Sequence, residues 1–256
     1  MVDGLHLLRK DFVLILKKIH NLTPPLALFG WIWLSLLLSL GLAWHLLAKV
    51  DFGYAIWYEY GGIKENIDKY APKNRFKHDF ESADRQQHLD SFGAIVDSIQ
   101  NKGVGLAEIR YQAKEKTHTL LHKAEVIHLQ DVANLIEWLN HFLFFSFILW
   151  LMILLYQFKK PFNYTTKQAS SAIILGSVLL SLPIFVFGAE KVFYQFHIWI
   201  FPDDHQWFFY YQDSLMATMM KAPDIFAYIA LSLVFVTLII YILISKVLKT
   251  LQNRLK

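Results

Sequence analysis

Cysteine does not occur in this chain of 256 residues. A sequence without cysteine has no disulfide framework, no thiolate metal site and no cysteine nucleophile. Charge is also sparse. Asp, Glu, Lys and Arg make up 18% of the residues, whereas about 25% is usual for soluble globular domains. The composition therefore excludes an ordinary soluble protein and every enzyme class that depends on a thiolate.

Apolar residues take the place of the missing charge, at 55% of the chain with a mean hydropathy of +0.33. Four runs, at residues 26–48, 138–158, 169–188 and 225–246, are long enough to cross a hydrocarbon core, which takes about 20 residues. Each run is predicted to be helical, because lipid offers no partner to an unpaired backbone group. The sequence predicts an all-α integral membrane protein with four transmembrane helices.

The short stretches before the first run, between the second and third, and after the fourth carry eleven of the 25 basic residues. They are Arg9, Lys10, Lys17, Lys18, Lys159, Lys160, Lys167, Lys246, Lys249, Arg254 and Lys256. The outer stretch 189–224 has only Lys191 and Lys221, which its acidic residues outnumber. The positive-inside rule then predicts that both termini are cytoplasmic. The net charge of +4 indicates contact with anionic inner-leaflet lipid, and no basic–aromatic patch indicates nucleic acid.

Three segments are predicted to be cytoplasmic: the N-terminal segment 1–25, the loop 159–168 and the tail 247–256. Apolar residues in 1–25 recur at helical spacing, which is typical of an amphipathic helix lying on the inner surface. A simple cytoplasmic extension of the first helix fits the same pattern. The run 26–48 is too long for the apolar region of a signal peptide, so we interpret it as a retained anchor.

Two segments, 49–137 and 189–224, are predicted to be extracytoplasmic. The first has near-normal composition and is predicted to form a small mixed cap domain between the first two transmembrane helices. Within it, 84–103 has helical periodicity and 105–121 has the pattern of a short strand pair. From Lys123 the pattern is again helical and continues into the second run. The segment 189–224 is interpreted as a loop.

Two polar stretches mark the membrane boundary. EVIHLQDV places Glu125, His128 and Asp131 three residues apart, just before the second apolar run. FHIWIFPDDHQW contains His197, Asp204 and Trp207 after the third run. The predicted topology puts both stretches at the same outer interface. Titratable groups are therefore expected at the depth of lipid headgroups and ester carbonyls, where aromatic rings are also favoured.

These stretches resemble the signature motifs of the lipoprotein intramolecular transacylases, a family of four-span bacterial membrane enzymes. The first motif reads Glu125-x-x-His128-Leu129-x-Asp131-Val132, and the second comprises Phe196-His197, Phe201, Asp204-x-x-Trp207 and Pro223-x-x-Phe226. The chain departs from the family after His197, where Ile-Trp-Ile-Phe-Pro stands in place of a second phenylalanine pair. Its outer loop is also longer than is usual in the family.

Such enzymes move the sn-2 acyl chain of a diacylglyceryl-cysteine lipoprotein onto the α-amino nitrogen of that cysteine, which leaves a lyso-form lipoprotein. The resemblance implies that His128 and His197 are the principal catalytic residues and that the substrate is a diacylated lipoprotein in the cell membrane. It implies no cofactor and no metal. Amine attack on an ester needs proton transfer, which histidine performs near neutrality. It needs no covalent enzyme intermediate, in keeping with the absence of cysteine.

Carboxylates are predicted to orient the histidines. Asp131 follows His128 by three residues, so it is expected to accept from a ring N–H of His128 and to set its tautomer. Asp204 or Trp207 is expected to do the same near His197. Asp204, Trp207 and Glu125 are also expected to contact the substrate, although a structural role is favoured for Glu125.

Other functions remain open at this point. His45 and His141 lie near the outer ends of two runs, as expected for a cytochrome that holds haem between histidines. A metal site built from His128, Asp131, His197 and Asp204 is a second alternative, and a non-enzymatic envelope chaperone or sensor is a third. His118 and His122 would form a metal pair if helical, but solvated surface is the favoured interpretation. His205 is interpreted as a loop residue.

Overall fold

The structure is a computed structural model that describes residues 26–159 and 165–254. The predicted amphipathic segment 1–25 lies outside the described residues. So do residues 160–164 of the predicted cytoplasmic loop and the last two residues of the chain.

Four long helices coincide with the four predicted apolar runs and confirm the number of spans. They are α1 (Leu26–Ala48), α5 (Lys123–Lys159), α6 (Thr166–Phe187) and α9 (Asp224–Arg254). Although α6 ends one residue before the predicted run 169–188 does, each helix is long and apolar enough to cross a membrane. The chain is therefore a multi-pass membrane protein.

Helix α5 is longer than a bilayer requires. Its 37 residues extend for about 55 Å, whereas the hydrocarbon core is about 30 Å thick. The uninterrupted apolar part begins at Trp138, and the preceding turns hold Glu125, His128 and Asp131. These turns pack against α4, so they lie before the membrane-spanning part of the helix.

Three helices and a hairpin lie between α1 and α5. They are α2 (Tyr54–Tyr60), α3 (Ile63–Tyr70), α4 (Arg85–Gln100), β1 (Arg110–Ala113) and β2 (Lys116–Thr119). The helix predicted within 84–103 is confirmed as α4, whose N-terminus is capped by the Asp84 side chain accepting from the backbone N–H of Gln87. The strand pair predicted within 105–121 is confirmed as an antiparallel hairpin.

The stretch 189–224 is not a simple loop. It contains α7 (Ala189–Ile200) and α8 (Leu215–Met220). Gly188, at φ +85°, separates α6 from α7, and glycine adopts this conformation without steric cost. The aromatic residues of this stretch suit the membrane boundary as well as a helix, so the sequence does not reveal α7. Consequently His197 lies on the last turn of a helix.

The main hydrophobic core lies outside the apolar part of the bundle. It joins α2, α3, α4, the hairpin, the first turns of α5, and α8. Its fully buried side chains include Phe80, Ile95, Tyr111, Leu215 and Met219. Burying a side chain of this size contributes roughly 1.5–3 kcal/mol. This core fixes the first turns of α5, which carry the polar motif.

Candidate functional site

The two predicted catalytic histidines lie against the same phenylalanine ring. His128 is presented by the second turn of α5, and His197 by the last turn of α7. The centroid of the Phe201 ring is 5.1 Å from that of His128 and 5.3 Å from that of His197. Residues that are remote in sequence therefore form one cluster.

His128 is held in a largely apolar environment. Its ring also packs against Phe209 at 5.9 Å, and its Nδ1 atom is buried without a hydrogen-bond partner among the described residues. Burial lowers the pKa of His128 to about 4, with a further contribution from the charge of His197, while Asp131 acts in the opposite direction. At neutral pH the imidazole is therefore uncharged.

His197 has a defined tautomer. Its Nδ1–H donates to the backbone carbonyl oxygen of Phe193 at 2.8 Å. A carbonyl can only accept, so Nδ1 carries the proton and Nε2 of the neutral ring has a free lone pair. Burial lowers the pKa of His197, and the bond to Phe193 opposes that shift. The ring is covered by Phe193 and Trp207, with centroids at 4.0 and 4.7 Å.

Asp131 does not bond His128 as predicted. Its Oδ2 accepts from Nδ1 of His205 at 2.6 Å. The helical spacing does put Asp131 one turn from His128, but the loop after α7 folds back over α5 and supplies a closer donor. The hydrogen bond and charge of Asp131 raise the pKa of His205, with a smaller contribution from Asp204. The sequence does not reveal the bond between His205 and Asp131, because it depends on how the loop after α7 folds back onto α5.

Asp204 and Trp207 differ in their relation to His197. Trp207 contacts the His197 ring by aromatic packing, so it restricts the ring without fixing the tautomer. Asp204 is exposed. The Nδ1–H of His197 donates to neither residue, because it is already bonded to the backbone carbonyl oxygen of Phe193.

Glu125 is fully buried, at 0% exposure. Its Oε1 accepts from Oγ of Ser214 at 2.5 Å and from the backbone N–H of Met216 at 3.2 Å. Its Oε2 accepts from the backbone N–H of His122 at 2.7 Å. Burial raises the pKa of Glu125, and these bonds oppose the shift. The carboxyl group joins α5 to α8, which is the structural role favoured for Glu125 from sequence; its contact with substrate stays a prediction.

The metal alternatives find little support in the geometry. His118 lies in β2 and stacks on Tyr111, whereas His122 precedes α5, so the two are not a helical pair. Within residues 26–159 and 165–254, no three His, Asp or Glu side chains are arranged to hold a metal ion. His45 and His141, which the haem alternative requires, are exposed on α1 and α5.

A model of the lipoprotein intramolecular transacylase family, Lit, matches residues 32–226. The chain belongs to this family. The match includes both polar motifs and the intervening helices. No curated protein sequence matches the chain.

Three solved structures of the Lit transacylase from Bacillus cereus are similar to this fold. A histidine-to-arginine variant is 16% identical, covers 96% of this chain and 96% of its own, and has a TM-score of 0.63. A histidine-to-alanine variant is 15% identical, covers 93% of this chain and 97% of its own, and has a TM-score of 0.64. A third structure is 17% identical, covers 91% of this chain and 95% of its own, and has a TM-score of 0.60. At such low identity the likeness shows the shared fold.

Proposed function

We propose that this chain moves the sn-2 acyl chain of a diacylglyceryl-cysteine lipoprotein onto the α-amino group of the same cysteine. The product is a lyso-form, N-acylated lipoprotein. Membership of the Lit family supports this reaction class. The observation that carries the proposal is the packing of two uncharged imidazoles, from α5 and α7, against Phe201.

His197 is assigned the role of general base. Its Nε2 lone pair is free because Nδ1–H is used by Phe193. Its lowered pKa keeps the ring unprotonated at neutral pH, so it can accept a proton from the attacking amine. A positioned base of this kind contributes about 10²–10⁴-fold to a rate.

His128 is assigned the role of hydrogen-bond donor to the developing oxyanion. A buried N–H without a partner is more costly than an unpaired lone pair, so the partnerless Nδ1 is the better place for the lone pair. The proton then resides on Nε2, which can donate to the carbonyl oxygen as charge develops there. One such donor contributes about 10²–10³-fold.

The proton and bond changes balance without a covalent enzyme intermediate. The nitrogen–carbonyl bond forms, and the bond from the carbonyl carbon to the glyceryl oxygen breaks. His197 accepts the amine proton at Nε2 and delivers it to the departing glyceryl oxygen, so its ring returns to the neutral form. The Nε2–H of His128 stays on its ring and donates a hydrogen bond to the carbonyl oxygen as charge develops there. Nucleophile and ester belong to one substrate molecule, so holding it in a reactive pose contributes several kcal/mol, roughly 7–11 at most.

The site is assigned to the outer leaflet of a bacterial cell membrane, with both chain termini inside. Basic residues at the opposite ends of the spans support this orientation. Exposed aromatic rings on α7, including Phe196 and Trp199, suit the membrane–water boundary. The segment between α1 and α5 is assigned as the extracytoplasmic cap.

The test is expression in a bacterium that makes a diacylated reporter lipoprotein and lacks a transacylase of its own. Mass spectrometry of the N-terminal peptide is expected to show an acyl group on nitrogen and a free hydroxyl on the glyceryl group. An unchanged diacylglyceryl peptide, with the protein present in the membrane, would contradict the proposal. A haem absorption band or bound metal in the purified protein would favour the cytochrome or metal alternative.

A further inference from the structure

The loop between α7 and α8, residues 201–214, connects the two halves of the site without a helix or strand of its own. It begins at Phe201, the ring between the two histidines. Its far end is anchored by Arg75, whose Nε lies 2.7 Å from Oδ1 of Asp213, and by the bond from Ser214 to Glu125. What holds its near end against α5 therefore matters to the site.

One polar contact joins the near end to α5. Among the hydrogen bonds of the described residues, only that from His205 to Asp131 links residues 201–208 to this helix. His205 is positioned by a turn in which its backbone N–H donates to the carbonyl of Pro202 at 3.1 Å. Asp131 lies one helical turn after His128. The bond therefore spans the same two parts of the fold as the two catalytic histidines.

We infer that the Asp131–His205 hydrogen bond is a positioning pair, which sets the distance between the imidazoles of His128 and His197. The pair acts through the loop: holding residue 205 on α5 fixes Phe201 and Trp207, which in turn pack on His197. His205 is a positioning residue and not a catalytic one. The inference about activity rests on the proposed transacylase function.

Stability and activity are expected to respond differently. His205 is 32% exposed and Asp131 is 14% exposed, and ion pairs near water contribute little to stability. A small change in the geometry of reacting groups, by contrast, reduces rates strongly. Loss of the pair should therefore lower transfer while leaving the unfolding temperature nearly unchanged.

The side chains that can replace His205 provide a rescue test. Asparagine places an N–H donor where Nδ1 lies, whereas alanine removes it. We expect His205→Ala to lower the transfer rate 10- to 100-fold and His205→Asn to retain at least a third of it. Asp131→Asn combined with His205→Ala should be no worse than the poorer single variant. Transfer by His205→Ala within twofold of the unmodified protein would overturn the inference.

A matched control is available on the same helix. Lys102, which follows α4, forms an equally short ion pair with Glu137 on α5, at 2.6 Å, and this pair is more exposed, at 68% and 34%. Both residues lie outside the loop 201–214. Lys102→Ala is expected to leave the transfer rate within twofold. An equal loss in this variant would show that any ion pair on α5 matters, and would remove the special role of His205.

The pH profile supplies a readout that a purely structural role would not change. The groups facing His205 are Asp131 on α5 and Asp204 in its own loop, with His128 and His197 nearby. The raised pKa of His205 means that the charged pair is complete below that pKa and weakens as pH rises through it. The transfer rate should therefore fall as pH rises through the pKa of His205, which forms the alkaline limb of the pH profile. The rate of the His205→Asn variant should not fall over this pH range. An identical limb in both proteins counts against the inference.

A measurement without substrate separates this inference from the proposed function. Because the chain has no cysteine, spin labels can be placed specifically with Asn134→Cys on α5 and Gln206→Cys in the loop. Electron spin resonance should show a narrow distance distribution that broadens with His205→Ala and not with Lys102→Ala. Broadening in a protein that transfers no acyl chain would retain the positioning pair and reject the function. An unchanged distribution would reject the pair.

Discussion

At the scale of single residues, the environment of each histidine decides its chemistry. The Nδ1–H of His197 donates to Phe193, the buried Nδ1 of His128 has no partner among the described residues, and His205 is paired with a carboxylate. Accordingly, burial lowers the pKa of the first two and Asp131 raises that of the third. The same side chain thus has three different environments within one cluster.

His197→Asn tests the assignment of the general base. Asparagine can keep a donor near the Phe193 carbonyl but has no atom in place of Nε2. We expect the transfer rate to fall at least about 100-fold, the lower end for loss of a positioned base. The measurement is mass spectrometry of the reporter peptide at equal protein abundance.

The control for that variant is His141→Asn, on the exposed surface of α5. This variant should transfer the acyl chain at a rate within twofold of the unmodified protein. A loss of transfer in His141→Asn would favour the haem alternative. Transfer by His197→Asn within threefold would show that Nε2 is not the base.

At the scale of elements, α6 approaches α1 through a glycine. A Cβ on Gly176 would collide with the ring of Trp33, whose Nε1–H donates to the carbonyl of Ala172 at 3.0 Å. The indole ring therefore lies directly on the α6 backbone. This contact holds α6, and α7 follows α6 directly, so it also helps to place His197.

Gly176→Ala is expected to lower the thermal unfolding midpoint in detergent. Added volume in a packed contact typically costs about 1–3 kcal/mol. The matched control is Gly30→Ala on α1, where a Cβ would meet no atom within 4 Å. The control should unfold at the midpoint of the unmodified protein or slightly above it. Equal midpoints for both variants would show that α1 and α6 do not pack in this way.

At the scale of the whole molecule, the main core lies at one end of the spans. It is formed by the segment between α1 and α5 together with α8, whereas Lys159, Lys246 and Lys249 lie towards the opposite ends of α5 and α9. In the proposed orientation, the packed cap would cover the outer leaflet and the basic ends would meet anionic lipid. The histidine cluster would then lie where the cap meets the bilayer.

Single introduced cysteines test this orientation, since the chain has none of its own. Val104→Cys lies at an exposed position between α4 and β1, and Lys249→Cys lies near the end of α9. A membrane-impermeant maleimide should label the first in intact spheroplasts and the second only after lysis. Labelling in the reverse order would place the site on the cytoplasmic side.

Much of the fold is determined by local sequence. Apolar run length predicted the four spans, periodicity predicted α4, and alternation predicted the hairpin, because each depends on residues close in the chain. The two motifs also indicated the histidine cluster before any coordinates. The helix α7 was missed, since aromatic residues suit both an interface and a helix.

Only the tertiary structure decided the partners of the polar side chains. Asp131 at helical spacing from His128 was the natural partner by sequence, yet the loop after α7 brings His205 to the carboxylate. Glu125 of α5 likewise bonds to the N-terminus of α8, because folding buries its carboxyl group beside Ser214. Helical periodicity depends on neighbours in the chain, whereas a side chain's hydrogen bond depends on which remote segment the core brings within about 3 Å.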